Sequence, residues 1–199
     1  MFATPGALPQ GTQWRYEVQW AGLRVLAEIT GGTLRLTTPD ERDVTAYFPE
    51  FADLAGRLRD GVLDGEIIIL IGGVPSAAAL ARRMARRPRR GPRRGGRIAP
   101  VGRGGDGVAA SLMVFDVLRL YGVPLLHRTL DERRATLERV RVDAASNVTL
   151  SPVYDDGPAL LTATRRHRLR GVVAKRADSP YRPGVRDPAW VAVQHRPAS

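Results

Sequence analysis

From Trp14 to Ile29 the chain alternates apolar and polar residues, and this stretch narrows the possible folds more than any other. Trp14, Tyr16, Val18 and Trp20 share one side, with Arg15, Glu17 and Gln19 opposite. A period of two is that of a half-buried strand. Gly22 permits a bend, after which Leu23, Val25, Ala27 and Ile29 resume the alternation. The pattern predicts one long strand with a glycine break. Gly31-Gly32 then signals a hairpin, and Leu34 and Leu36 alternate with Arg35 and Thr37 on the return. Residues 1–13, interrupted by Pro5 and Pro9, read as an irregular lead-in.

Further along, a helix is expected from about Pro49, with Phe51, Leu54 and Leu58 on one face. Residues 61–65 read as a loop before a buried strand, Glu66 to Ile71. Ser76 is placed to cap a helix that Pro88 ends. Residues 108–120 predict a strand with Leu112, Val114 and Asp116 on one side and Met113, Phe115 and Val117 on the other. Thr129 and Glu132 have the spacing of a capping box before a helix with Leu130, Leu137 and Val140 inward. Residues 147–154 form a short strand, 158–169 a short helix, 171–177 a buried strand and 190–195 the last strand. Helices and strands mixed without a βαβ rhythm imply an α+β fold with antiparallel sheets.

Charge is unevenly placed. The formal net charge is +11, yet ten arginines and no acid lie between Arg82 and Arg103, leaving 21 basic against 20 acidic residues elsewhere. The Arg/Gly/Pro-rich segment 82–107 lacks apolar periodicity and reads as a mobile loop inserted in a single domain, 1–199. Its Arg86, Arg87, Arg89, Arg90, Arg93, Arg94 and Arg97 are the candidate nucleic-acid contacts. The chain has no cysteine, which excludes a disulfide framework and a thiolate zinc site. No apolar run reaches the length of a membrane span, and no basic-then-apolar leader opens the chain, so the expected setting is the cytoplasm, with no membrane partner. Lys175 is the sole lysine.

Several segments together resemble the adenylation (nucleotidyltransferase) domain of ATP-dependent DNA ligases, over about residues 3–195. The stretch from Glu17 to Arg24 is similar to that family's E-x-K-x-D-G-x-R motif, matching at Glu17, Gly22 and Arg24. Asp64-Gly65-Glu66 is similar to its D-G-E segment, Phe115-Asp116 to F-D, and Gly171 to Lys175 to E-G-V-V-A-K after the first position. Ser179 to Gly184 is similar to its S-P-Y-x-P-G loop, and Trp190 to the opening of W-x-K-x-K. Asp43-Val44-Thr45 and Phe48-Pro49-Glu50 also match family positions. The resemblance implies two antiparallel sheets flanked by helices, ATP-grasp-like, with an adenine nucleotide held by Glu17, Arg24, Glu66, Phe115, Val173 and Lys175.

The departures fall on the chemistry. Gln19 stands where the family has its nucleophilic Lys, Ala21 where it has Asp, and Arg170 where a Glu binds metal. Ala192 and Gln194 stand where two lysines hold phosphate, and Pro39 stands where the family usually has Arg. An amide nitrogen, its lone pair delocalised, cannot replace an amine nucleophile. A cation at position 170 opposes a metal as well as failing to ligate it. The resemblance and its departures imply a ligase-like, catalytically inactive member that needs no metal or cofactor, ATP or AMP with Mg²⁺ mattering only if residual family function persists. It would act as a module binding DNA or another nucleic acid, or a repair partner, with any OB-fold domain supplied by another chain. The alternatives are an adenine-nucleotide sensor, and an active ligase or nucleotidyltransferase with relocated catalytic residues, Lys175 among them.

Overall fold

The alternating stretch is not one strand but two, and the two lie in different sheets. A computed structural model describes residues 1–86 and 108–195. β1 (Phe2–Pro5) and β2 (Trp14–Val18) belong to a first sheet. β3 (Leu23–Thr30) and β4 (Thr33–Thr37) form a hairpin in a second. Gln19 to Gly22 carry the chain across. Gln19 N–H donates to Gly171 O at 2.9 Å in the first sheet, and Gly22 N–H donates to Glu66 Oε1 at 2.6 Å in the second. A Cβ on Gly22 would stand 2.2 Å from Ile67 O, so only glycine allows the crossing to pass this close to the second sheet.

Beyond α1 (Leu54–Arg57), β5 (Gly61–Ile71), β6 (Val74–Pro75), α2 (Ala77–Ala85), β7 (Ala110–Leu120) and β8 (Val123–Pro124) complete most of the second sheet. α3 (Leu130–Val140), β9 (Val148–Leu150), β10 (Val153–Tyr154), α4 (Gly157–Arg166), β11 (Gly171–Arg176) and β12 (Arg186–Gln194) finish the chain. The first sheet runs β1-β12-β11-β2-β10; the second runs β4-β3-β5-β7-β8, with β6 on β5 and β9 on β7. Pairing is antiparallel except for β1 with β12 and β7 with β9. The fold is α+β, as expected.

Local expectations met the tertiary structure with mixed results. Ser76 Oγ accepts from Ala79 N–H, and the Thr129–Glu132 capping box forms in both directions. Residues 1–13 are not wholly irregular, because β1 finds an edge on β12 despite Pro5, whose missing N–H is tolerated there. Asp64 and Gly65 are not a loop; they sit in the middle of an eleven-residue strand paired on both sides. The helix expected from Pro49 is a 3₁₀ turn, Pro49–Phe51, followed by the four residues of α1. Residues 147–154 split into β9 and β10, one for each sheet. The segment taken as a loop from residue 82 begins helical, since α2 runs to Ala85. Residues 87–107 lie outside the described residues.

A main core of Val25, Ile29, Leu36, Phe48, Phe51, Leu63, Leu112 and Leu137 fills one face of the second sheet. Two smaller clusters flank the inter-sheet cleft: Phe115, Leu118, Tyr181 and Trp190 with Met1, and Tyr16, Val18, Leu160, Val172 and Ala174 under α4. Arg83 is buried beside Glu50 at 2.6 Å and donates to Val108 O, while Ala110 N–H donates to Glu50 Oε1 at 3.0 Å. These bonds tie together the two chain ends that flank residues 87–107.

Candidate functional site

The residues singled out from the sequence converge on one cleft of about 400 Å³ between the sheets. Glu17, Gln19, Arg24, Glu66, Phe115, Arg170, Val173, Lys175, Trp190, Ala192 and Gln194 all line it. Ala21, on the crossing, is not among its wall residues. Arg86 lies just past α2, and Arg87, Arg89, Arg90, Arg93, Arg94 and Arg97 lie outside the described residues.

Lys175 sets the cleft floor. β2 and β11 pair so that Lys175 reaches Glu17, with Nζ 2.6 Å from Oε1 and both side chains buried. The same Nζ stands 4.4 Å from the ring centroids of both Phe115 and Trp190, a cation between two π faces. Burial raises the Glu17 carboxyl above its ordinary value, and Lys175 opposes that rise. Lys175 Nζ is thus buried and held between a carboxylate and two rings.

Arg24 is likewise occupied. Its Nε and Nη2 donate to Asp64 Oδ1 and Oδ2 at 3.1 and 2.6 Å, and Tyr181 Oη donates to Asp64 at 2.7 Å. Burial works against the guanidinium charge, but Asp64 outweighs it and holds Arg24 above its ordinary value. Burial, then the Asp64 charge, pushes the Tyr181 hydroxyl up. Asp116, a candidate through the F-D resemblance, is bound to Arg133 at 2.8 and 2.9 Å, both side chains fully buried. Arg133 also donates to the carbonyls of Arg128 and Ser179, so this pair is a structural clamp.

Phe115 faces the cleft, opposite Leu112 and Val114 as the alternation has it, but irregular pairing changes the side taken by the residues after it. Leu63 pairs Val117 and Gly65 pairs Val114, so Phe115 is left over and the parity of β7 changes. Val117 therefore joins Leu112 and Val114 in the main core, while Phe115 faces Trp190 at 6.2 Å. This corrects the expectation that Val117 and Phe115 share a side.

Near the crossing, Glu66 is pushed up to about 7 by burial, with the Gly22 N–H and the charges of Arg24 and Arg170 opposing the rise. Gln19 Oε1 and Trp190 Nε1 are buried without hydrogen-bond partners among the described residues. At the outer edge, Arg170 and Arg186 are exposed, and Arg186 donates to Ala3 O at 2.8 Å. His195 Nε2 lies 2.9 Å from Thr164 Oγ1, and burial, then the Arg165 charge, lowers its pKa.

The sequence reading missed Phe2, Ala3, Pro5 and Arg186, which also line the wall with Val18 and Trp20. Phe2 lies 5.0 Å from the Arg24 guanidinium carbon. Nothing local marks Phe2, because its role depends on β1 finding β12 across more than 180 residues.

The residues present do not fit a catalytic divalent metal. Glu17 is bound by Lys175, Asp64 by Arg24 and Tyr181, Glu66 accepts a backbone N–H, and Arg170 adds a cation. Among the described residues no group of three or more His, Cys, Asp or Glu is placed to hold one. No helix among them is long and apolar enough to cross a membrane.

The family profile described as ATP dependent DNA ligase domain matches residues 6–193. The chain is 34% identical over 200 residues to the multifunctional non-homologous end joining DNA repair protein LigD of Mycobacterium tuberculosis, covering 98% of this chain and 24% of that protein. It is 27% identical over 179 residues to the SPbeta prophage-derived DNA ligase-like protein LigB of Bacillus subtilis, covering 89% of this chain and 59% of that one. It thus spans about a quarter of the first relative and somewhat over half of the second. The structure is similar to mycobacterial DNA ligase D complexed with ATP and MES, with a TM-score of 0.77 and 34% identity over 97% of this chain and 58% of that one. A likeness to the bacteriophage T7 ATP-dependent DNA ligase, TM-score 0.60 at 13% identity over 92% of this chain and 62% of that one, concerns the fold alone.

Proposed function

The chain belongs to the ATP-dependent DNA ligase domain family, and from that premise we propose that it is a non-adenylating member that serves DNA repair by binding nucleic acid. One observation carries the reading. The cleft presents the amide of Gln19 at the nucleophile's position, and the chain's only lysine is consumed in a buried pair with Glu17. Covalent nucleotidyl transfer needs a free amine. Transfer at phosphorus also depends on cations and a metal placed around the phosphate oxygens. Ala192 and Gln194 supply no charge, and Arg170 adds one where the family motif has a metal-binding carboxylate.

A second reading, non-covalent sensing of an adenine nucleotide, is favoured by the orphaned Gln19 Oε1 and Trp190 Nε1. Buried polar atoms without partners are costly, and a ligand that pairs them would recover that cost. One experiment separates the readings. The protein is incubated with α-labelled ATP and Mg²⁺ or Mn²⁺, and ATP, ADP and AMP are titrated calorimetrically in parallel. No label is expected on the wild type or on Gln19→Lys, because Arg170, Ala192 and Gln194 stay in place. Label on the wild type would overturn the non-adenylating reading, whereas label on Gln19→Lys alone would show that the missing amine is the whole defect. Heat with AMP in the absence of metal would bring the sensor forward.

A further inference from the structure

Most described arginines are tied to a carboxylate, as Arg15 is to Asp131, Arg128 to Glu132 and Arg176 to Asp178. The end of α4 is built differently. Arg165, Arg166, Arg168 and Arg170 are all exposed, and none has an ion-pair partner among the described residues. No Asp or Glu occurs between Asp156 and Asp178, so the segment offers these arginines no local partner.

The backbone gathers these four side chains. The Arg168 N–H donates to Arg165 O at 3.1 Å and the Leu169 N–H to Thr164 O at 2.8 Å, so the chain turns sharply around the helix end. Arg168 takes the left-handed conformation this turn requires, with φ of 56°. Leu169 packs inward against the cluster under α4. The Arg170 carbonyl accepts from the His195 N–H at 3.1 Å, which sets Arg170 at the end of β12, and its side chain lines the cleft mouth beside Gln194. Complementing the helix dipole accounts for cations in the last turn, Arg165 and Arg166. It does not account for Arg168 and Arg170, which lie beyond the helix.

We propose that this edge is a phosphodiester-binding ramp, on which Arg165, Arg166 and Arg168 hold the backbone of a nucleic acid strand and Arg170 receives its next phosphate at the cleft mouth. The proposal rests on the nucleic-acid-binding reading above and places its contacts apart from the arginines of residues 87–97. Guanidinium groups bind phosphate bidentately, and unpaired ones need give up no internal partner to do so.

The test is fluorescence anisotropy with a labelled DNA duplex and a labelled single strand, titrated at rising NaCl. Wild type is compared with the triple variant Arg165→Ala/Arg166→Ala/Arg168→Ala and with a control of equal charge, Arg57→Ala/Arg59→Ala/Arg139→Ala, also at exposed arginines without ion pairs among the described residues. Each neutralised phosphate contributes about 0.9 to the slope of log affinity on log salt for duplex DNA, so the ramp variant should lower that slope by about 2.7. The control should leave it unchanged. Equal losses in both variants would mean a general charge effect and overturn the ramp. An unchanged slope in the ramp variant would overturn it while leaving the binding reading intact. No salt-dependent binding by wild type would sink the binding reading and the ramp together.

Discussion

On the cleft floor, Glu17 and Lys175 lie 2.6 Å apart out of solvent, and Arg24 is clamped to the fully buried Asp64. At the rim, Gln19 carries a buried oxygen without a hydrogen-bond partner among the described residues, and Arg170 and Arg186 reach solvent without an ion-pair partner among them. The floor residues match the ligase motifs, and the rim holds departures from them. A buried charge held by its partner is part of the fold's stability, because removing either side strands the other. A rim side chain carries no such obligation. The motif residues that double as internal ion pairs are present, whereas those whose work is on phosphate and metal are replaced.

Three measurements can break or sharpen this contrast. The largest effect is expected on the floor: Lys175→Met leaves the Glu17 carboxylate buried and unpaired and should cost about 3–5 kcal/mol in denaturant unfolding. The double variant Glu17→Gln/Lys175→Met should recover much of that loss. A single variant within about 1 kcal/mol of wild type would show that the floor pair is dispensable.

A smaller effect is expected at Glu66, between floor and rim. Its folded pKa of about 7 exceeds the ordinary 4.5, so in that window the folded chain holds a proton that the unfolded chain has released. Stability should therefore fall as pH rises from about 4.5 to 7, by at most about 3 kcal/mol, and stay low above it. Glu66→Gln keeps an acceptor for the Gly22 N–H and should remove that dependence, making the variant the more stable protein at pH 8. Parallel pH profiles for the two proteins would contradict the assignment.

The smallest change belongs to the rim. Arg186→Ala should leave the unfolding midpoint within about 0.5 kcal/mol of wild type, as surface substitutions usually do. A loss of several kcal/mol would place Arg186 among the structural cations and erase the distinction.

Much of the site was legible because it sits on short motifs. Glu17, Arg24, Phe115, Lys175 and Trp190 stand at positions that the resemblance to the ligase motifs marks, and all line the cleft. Caps were legible for the same reason, since Ser76 and the Thr129–Glu132 box act over three residues. Alternation over residues 14–29 located the strands but hid the change of sheet, because a period of two says which face a residue takes and nothing about which sheet it joins. The pairing irregularity that moves Val117 into the main core could not be foreseen, as it depends on the register between β5 and β7.

The amino-acid sequence by itself determined the chemistry on offer: an amide for an amine at position 19, a cation at position 170, one lysine, and a stretch from residue 157 to 177 without an acid. Only the tertiary structure decided how those groups are spent. It buried Lys175 against Glu17, locked Arg24 onto Asp64, brought β1 to the cleft and left the arginines after α4 facing solvent. The physical reason is that charge is written in the residue, whereas desolvation and partner distance arise from contacts between segments far apart in the chain.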